Sequence, residues 1–378
     1  MRLIVVLSLF AMLCSSELKA FSFPNQHALL NHSVLKDSNA LYFNFSNANF
    51  LWNNEFFNDV VEGYTLIGYF ITPQLQYHFS PNLRIDAGGH FLKYSGVNKF
   101  SSIVPTYSVT YSKNDFTLIM GTLQGTVHHK LAEPLFFSER YFTNTIENGV
   151  QYLLNKDRLW LDVWLDWQTF IFPGDTKQEE LLFGVNALPQ LIQLQNFRVE
   201  GIASLLAGHR GGQIDAADKN IKTALNYGLG LNISQQISLK FIDKLSLESQ
   251  YIGFYDSSPT VESIYENGGG YLNNIRFSKN ESYFQLGHWS ANHYLSIMGH
   301  PIYQSYSSVD TLLHKENRNL VTANIFYSKS IFKGVYLGLM ADVFYDLDAK
   351  ITDYSMGLTL IVKQDFFLTR FNNRKTNQ

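Results

Sequence analysis

The stretch Leu159-Trp160-Leu161-Asp162-Val163-Trp164-Leu165-Asp166-Trp167 decides the fold. Extended backbone sends successive side chains to opposite faces. Leu159, Leu161, Val163, Leu165 and Trp167 then share one face, while Asp162 and Asp166 share the other with Trp160 and Trp164. Segments of this kind recur along the chain, separated alternately by a short polar turn and a longer polar loop. A sheet with one apolar and one polar side satisfies all its amides in lipid only by closing on itself. The pattern predicts an all-β fold, a transmembrane antiparallel up-and-down β-barrel of about 16 strands with short periplasmic turns and long extracellular loops.

The predicted strands are 40–51, 64–80, 83–94, 104–113, 116–125, 148–155, 158–170, 180–189, 196–208, 223–234, 244–255, 270–278, 282–289, 319–328, 334–345 and 352–363. Ser80-Pro81-Asn82, Lys113-Asn114-Asp115, Asn155-Lys156-Asp157 and Ser278-Lys279-Asn280-Glu281 supply tight-turn chemistry. Parity assigns the faces. Ile67, Tyr69, Ile71, Leu75, Tyr77 and Phe79 point to lipid, and Thr72, Gln74, Gln76 and His78 point inward. Pro73 lacks an amide donor, so a bulge or a weak ladder is expected there. Arg84, Asp86, His90, Asp162, Asp166, Arg198, Glu200, Glu248, Arg276 and Asp342 form the expected pore lining. Charge on the lipid face would cost a few kcal/mol at midplane, which is why parity buries it in the lumen.

Composition agrees. Aromatics are 15% of the chain and net charge is −3, which gives no footprint for nucleic-acid binding. Residues 1–20 read as a signal peptide: Arg2, an apolar core Leu3 to Leu13, and Leu18-Lys19-Ala20 before the cut. Cys14 raises a lipoprotein alternative, against which stands Leu13 where a small residue is preferred. Residues 21–378 form one domain, with a short periplasmic segment 21–39 and a polar tail 372–378. No run is long and apolar enough for a membrane helix. The expected location is the outer membrane, reached by secretion across the inner one. The expected partners are outer-membrane lipid, small hydrophilic solutes and a further copy of the chain. No cofactor or metal is expected: on a strand the adjacent His128 and His129 would point to opposite faces, and His288 and His293 have no zinc-site partner pattern.

In strand number, turn lengths and alternation the chain resembles the general-porin architecture, and its aromatic, Asn-rich style looks like barrels of Bacteroidota-type bacteria. In porins the loop after the fifth strand folds inward and narrows the channel. The resemblance puts that role on 126–147, with His128, His129, Lys130, Glu133, Glu139, Arg140 and Glu147. Acids and bases facing across a narrow lumen would select solutes by size and charge. One departure is the C-terminus, where Asp365-Phe366-Phe367-Leu368-Thr369-Arg370-Phe371 precedes the tail. Either the tail hangs in the periplasm, or Phe366 to Phe371 belongs to the closing strand and the last predicted boundary falls short.

His288-Trp289-Ser290 offers a second reading. Outer-membrane phospholipase A and the lipid A deacylases place a His and a Ser two apart on one strand, and this triplet resembles them. Same-face spacing lets the imidazole take a proton from the hydroxyl as it attacks an ester. Phe284 and Leu286 share that face, and Asn292 is a nearby candidate to orient the ring. The leading expectation is a non-catalytic, porin-like channel for small hydrophilic solutes. The alternatives are an acyl hydrolase using His288 and Ser290, and an occluded structural or adhesin barrel, which inward Trp160 and Trp164 favour.

Overall fold

A computed structural model describes residues 38–371 apart from 213, 311 and 312. The expected signal 1–20, Cys14 and the tail 372–378 lie outside the described residues, as does the segment 21–39 except its last two residues. Sixteen strands follow one another: β1 Ala40–Glu55, β2 Tyr64–His78, β3 Leu83–Tyr94, β4 Ser102–Lys113, β5 Phe116–Thr122, β6 Asn148–Lys156, β7 Leu159–Thr169 and β8 Glu180–Gln193. The second half holds β9 Phe197–Arg210, β10 Lys222–Gln236, β11 Lys244–Asp256, β12 Asn267–Lys279, β13 Ser282–Asn292, β14 Asn317–Phe332, β15 Val335–Asp346 and β16 Ile351–Arg370. Each pairs antiparallel with its sequence neighbours, and β1 pairs with β16 to close the barrel.

Short turns gather at one end. Asn114 and Asn280 take left-handed conformations there (φ 55° and 52°), and Gly334 does so at φ 76°. Asparagine and glycine reach this region at little steric cost. At Pro73 the ladder between β2 and β3 lapses from Ile71↔Phe91 to Gln74↔Gly88 without a shift of register. The missing donor weakens the ladder and makes no bulge.

Several predicted ends need correction: β1, β8 and β14 each run four residues further than expected, and two further differences have a clear structural cause. The closing strand runs to Arg370, well past the predicted end at 363, because its aromatic end finds partners on β1. Phe366 stacks on Phe43 at 6.2 Å, and Phe367 meets Tyr42 edge-on at 5.4 Å. The fifth strand is shorter than predicted and ends at Thr122. Gly121, at φ 104°, turns the chain there, and a Cβ on it would lie 2.1 Å from the Tyr107 carbonyl oxygen.

The apolar core sits inside the barrel. Inward strand residues Trp164, Leu182, Leu206, Ile252, Trp289 and Phe344 pack with loop residues Leu135, Phe136, Tyr294, Ile302 and Tyr303. An inward aromatic costs nothing in water-exposed surface once a loop covers it, so the lumen holds a packed interior.

Candidate functional site

The loop 123–147 enters the lumen through a 3-10 turn, Thr126–His129, and a single helical turn, Arg140–Thr143. His129 is fully buried there. Its Nε2 meets Glu147 Oε2 at 2.8 Å, its Nδ1 meets Asp162 Oδ2 at 2.8 Å, and its ring stacks on Trp164 at 3.6 Å. Burial works against a charged imidazole, but the Glu147 and Asp162 carboxylates outweigh it and push its pKa up to about 10. His129 is therefore a cation at neutral pH and donates both ring N–H groups.

A second loop, 293–316, docks onto the first. Phe136 and Met298 form an isolated parallel bridge, the Phe137 N–H donates to the Met298 carbonyl at 2.9 Å, and the Tyr294 hydroxyl donates to the Pro134 carbonyl at 2.7 Å. His300 lies against Phe56, Phe137, Tyr303 and Phe344. Burial alone drives its pKa down to about 3, so it stays neutral. The plug separates a cavity of about 150 Å³ on its short-turn side from one of about 530 Å³ on its long-loop side. The two cavities share no lining residue.

The expected pore-lining residues point inward without forming one ring. Arg84 pairs with Asp86 at 3.0 Å, and Arg198 pairs with Glu200 at 2.7 Å. His90 bonds Thr72 through Nδ1 at 2.9 Å. Asp162 holds the plug through His129, and Asp166 accepts the Asn148 N–H at the foot of the same loop. Glu200, Glu248, Arg276 and Asp342 line the smaller cavity together with Lys130 and Glu133 of the loop. Arg276 donates to Gln285, Gln285 to Asn324, and Asn324 to Asp342. Glu139 accepts from Tyr64 and Asn54, and Arg140 lies 5.3 Å from the Phe136 ring. The loop residues thus build a packed plug, with His128 beside the buried lock.

The outer face carries a different arrangement. At the long-loop end of β13, His288, Ser290 and Asn292 are exposed and alternate with buried Trp289. His288 Nε2 lies 2.9 Å from Asn319 Oδ1. If the ring donates to this amide oxygen, Nδ1 keeps the lone pair a base needs. Asn292 is not the orienting group: its amide donates to Asn317 at 3.0 Å, because register sets it opposite Asn317 and two rows above the histidine, beyond Ser290. Ser290 sits directly between Tyr271 on β12 and Asn319 on β14. Nothing in the linear sequence marks Asn319, since only the β13–β14 register, set across the loop 293–316, brings it to His288. Apolar Leu286, Ile275 and Ala323 occupy the row below. Among the described residues no group of three metal-ligating side chains assembles.

A closed antiparallel barrel with an apolar skin is an outer-membrane protein. The chain belongs to the lipid A 3'-O-deacylase-type family, whose sequence pattern it matches over residues 33–371. This corrects the expectation of a protein without catalysis, because a deacylase-type family points to an enzyme. Search among curated proteins finds no match. The fold is similar to that of the outer membrane protein OprD from Pseudomonas aeruginosa, with a TM-score of 0.52 over 88% of this chain and 97% of that one at 8% identity. An improved crystal structure of OprD gives 0.51 over 90% and 100% at 10% identity. At such identities the likeness speaks for the barrel alone.

Proposed function

We propose that this protein is an outer-membrane hydrolase of lipid acyl esters, with Ser290 as nucleophile, His288 as general base and Asn319 as the group that orients the base. The observation that carries the reading is the 2.9 Å contact between His288 and Asn319, on the same exposed face as Ser290. Family membership supports the reaction class. Two strand residues separated by one are about 6.6 Å apart along the backbone, a span that an imidazole reaching toward a hydroxyl closes. Ser290 attacks the ester carbonyl while Nδ1 of His288 takes its proton. Collapse of the tetrahedral adduct breaks the bond to the alcohol, which leaves with that proton. Water, activated by the same imidazole, then cleaves the acyl-serine and releases a fatty acid. Asn319 holds one ring tautomer throughout, a task that needs hydrogen bonding and no charge.

The reading includes export with removal of 1–20. A diffusion channel, the other function the alternating strands suggest, has the fold likeness in its favour and the packed plug against it. The test is release of fatty acid from outer-membrane lipid by the refolded chain, followed by mass spectrometry. Ser290→Ala should abolish release, and unchanged release would refute the assignment.

A further inference from the structure

The outer face beside Ser290 is paved in one direction only. Tyr227 on β10, Tyr251 on β11 and Tyr271 on β12 all point outward, with ring centroids 6.2 and 5.2 Å apart. Tyr271 stands directly across from Ser290. Glycines make room for the row. A Cβ on Gly253 would lie 2.2 Å from the Tyr227 ring, and one on Gly269 would lie 2.3 Å from the Tyr251 hydroxyl. The rings therefore lie across the neighbouring strand. Around them the polar groups are amides and hydroxyls: Ser249 donates to Asn273 at 2.7 Å, beside His288, and Asn292 bonds Asn317. Among the described residues, the outward positions in the long-loop half of β10 to β15 include no Asp, Glu, Lys or Arg.

A phosphate held against such a surface would have no cation to meet it, and charge-assisted bonds are the usual means of holding phosphate. Ring faces and neutral amides instead suit a ligand with C–H faces and many hydroxyls. Resting on the hydrolase reading above, we infer that the Tyr227–Tyr251–Tyr271 row is the head-group platform of this site and selects a lipid whose ester is carried beside an uncharged sugar. Tyr271 and Tyr251 are then specificity-determining residues, placed on the side of Ser290 away from Asn319.

The test uses the full refolded chain carrying Ser290→Ala, so that bound lipid survives. Native mass spectrometry compares retention of monoglucosyl diacylglycerol with phosphatidylglycerol of the same acyl chains. The expected preference for the sugar lipid is about tenfold. Adding Tyr251→Leu and Tyr271→Leu should remove it, while Tyr271→Phe, which keeps the ring, should retain it. Heat-modifiable migration checks that each variant is folded; if the double variant is not, the preference of the parent chain still decides. Equal or better retention of phosphatidylglycerol, or retention of neither lipid, would overturn the inference. So would a preference that survives in the folded double variant. Hydrolysis by the unmodified chain is scored separately: no cleavage of any lipid ester removes the hydrolase reading, whereas retention reports on the platform alone.

Discussion

Replacing His129 with Leu should unlock the plug. The imidazolium lies between two buried carboxylates, Glu147 and Asp162, each at 2.8 Å. Its pKa rises from the ordinary 6.5 to about 10 in the folded protein. At ~1.36 kcal/mol per unit, that shift corresponds to about 5 kcal/mol, within the range for removing one partner of a buried pair. A pKa raised by folding contributes stability that is fully present below about pH 6.5 and lost as pH climbs through about 10. His129→Leu leaves both carboxylates facing an apolar wall at neutral pH. The docked-to-released ratio of the loop 123–147 should fall more than about a thousandfold. Planar-bilayer recording of the refolded protein reads this directly. The parent should be silent at pH 7 and begin to conduct as pH passes about 10; the variant should conduct at pH 7. A variant as silent and as heat-resistant as the parent would refute the reasoning.

Three further outcomes follow from other contacts. Asn319→Leu removes one hydrogen bond to His288 and should lower kcat/KM for lipid esters about tenfold, mostly in kcat, as measured by fatty-acid release. Gly184→Ala places a methyl 2.1 Å from the Trp164 ring, so it should lower stability by about 1–3 kcal/mol and raise bilayer current noise as the stack on His129 shifts. Deleting residues 366–378 removes the rungs Phe43↔Phe366 through Ala40↔Arg370 at the short-turn end of the β1–β16 ladder. The truncated chain should fail to give a heat-modifiable band after refolding.

The barrel was legible because burial demands alternation, and alternation survives in a bare list of residues. Arg84, Asp162 and Glu248 face inward for that reason alone. The inward course of 126–147 came from the porin resemblance alone, and the packing of the plug was not legible. Leu135, Phe136, Tyr294 and Ile302 lie in irregular loops with no period, and their packing joins segments far apart in sequence. One trace of it was readable: Trp164 shares a face with Asp162 and Asp166, and an indole on a wet wall needs a cover. For the catalytic candidates, parity gave His288 and Ser290 a common face. Asn319 required a register that only turn geometry and packing across the loop 293–316 determine. The C-terminal aromatics were ambiguous until β1 supplied their partners.

Cylinder closure joins the two chain ends of the barrel, so its seam has the longest span in sequence and the greatest loop-closure entropy. It is also the most extensive ladder, running from Ala40↔Arg370 to Glu55↔Tyr354. Until that zipper shuts, two naked edges stand ready to pair with any strand nearby. Insertion of this chain should therefore end in one abrupt, all-or-none step, and a helper that shields or templates those edges would speed it more than any change to the middle strands.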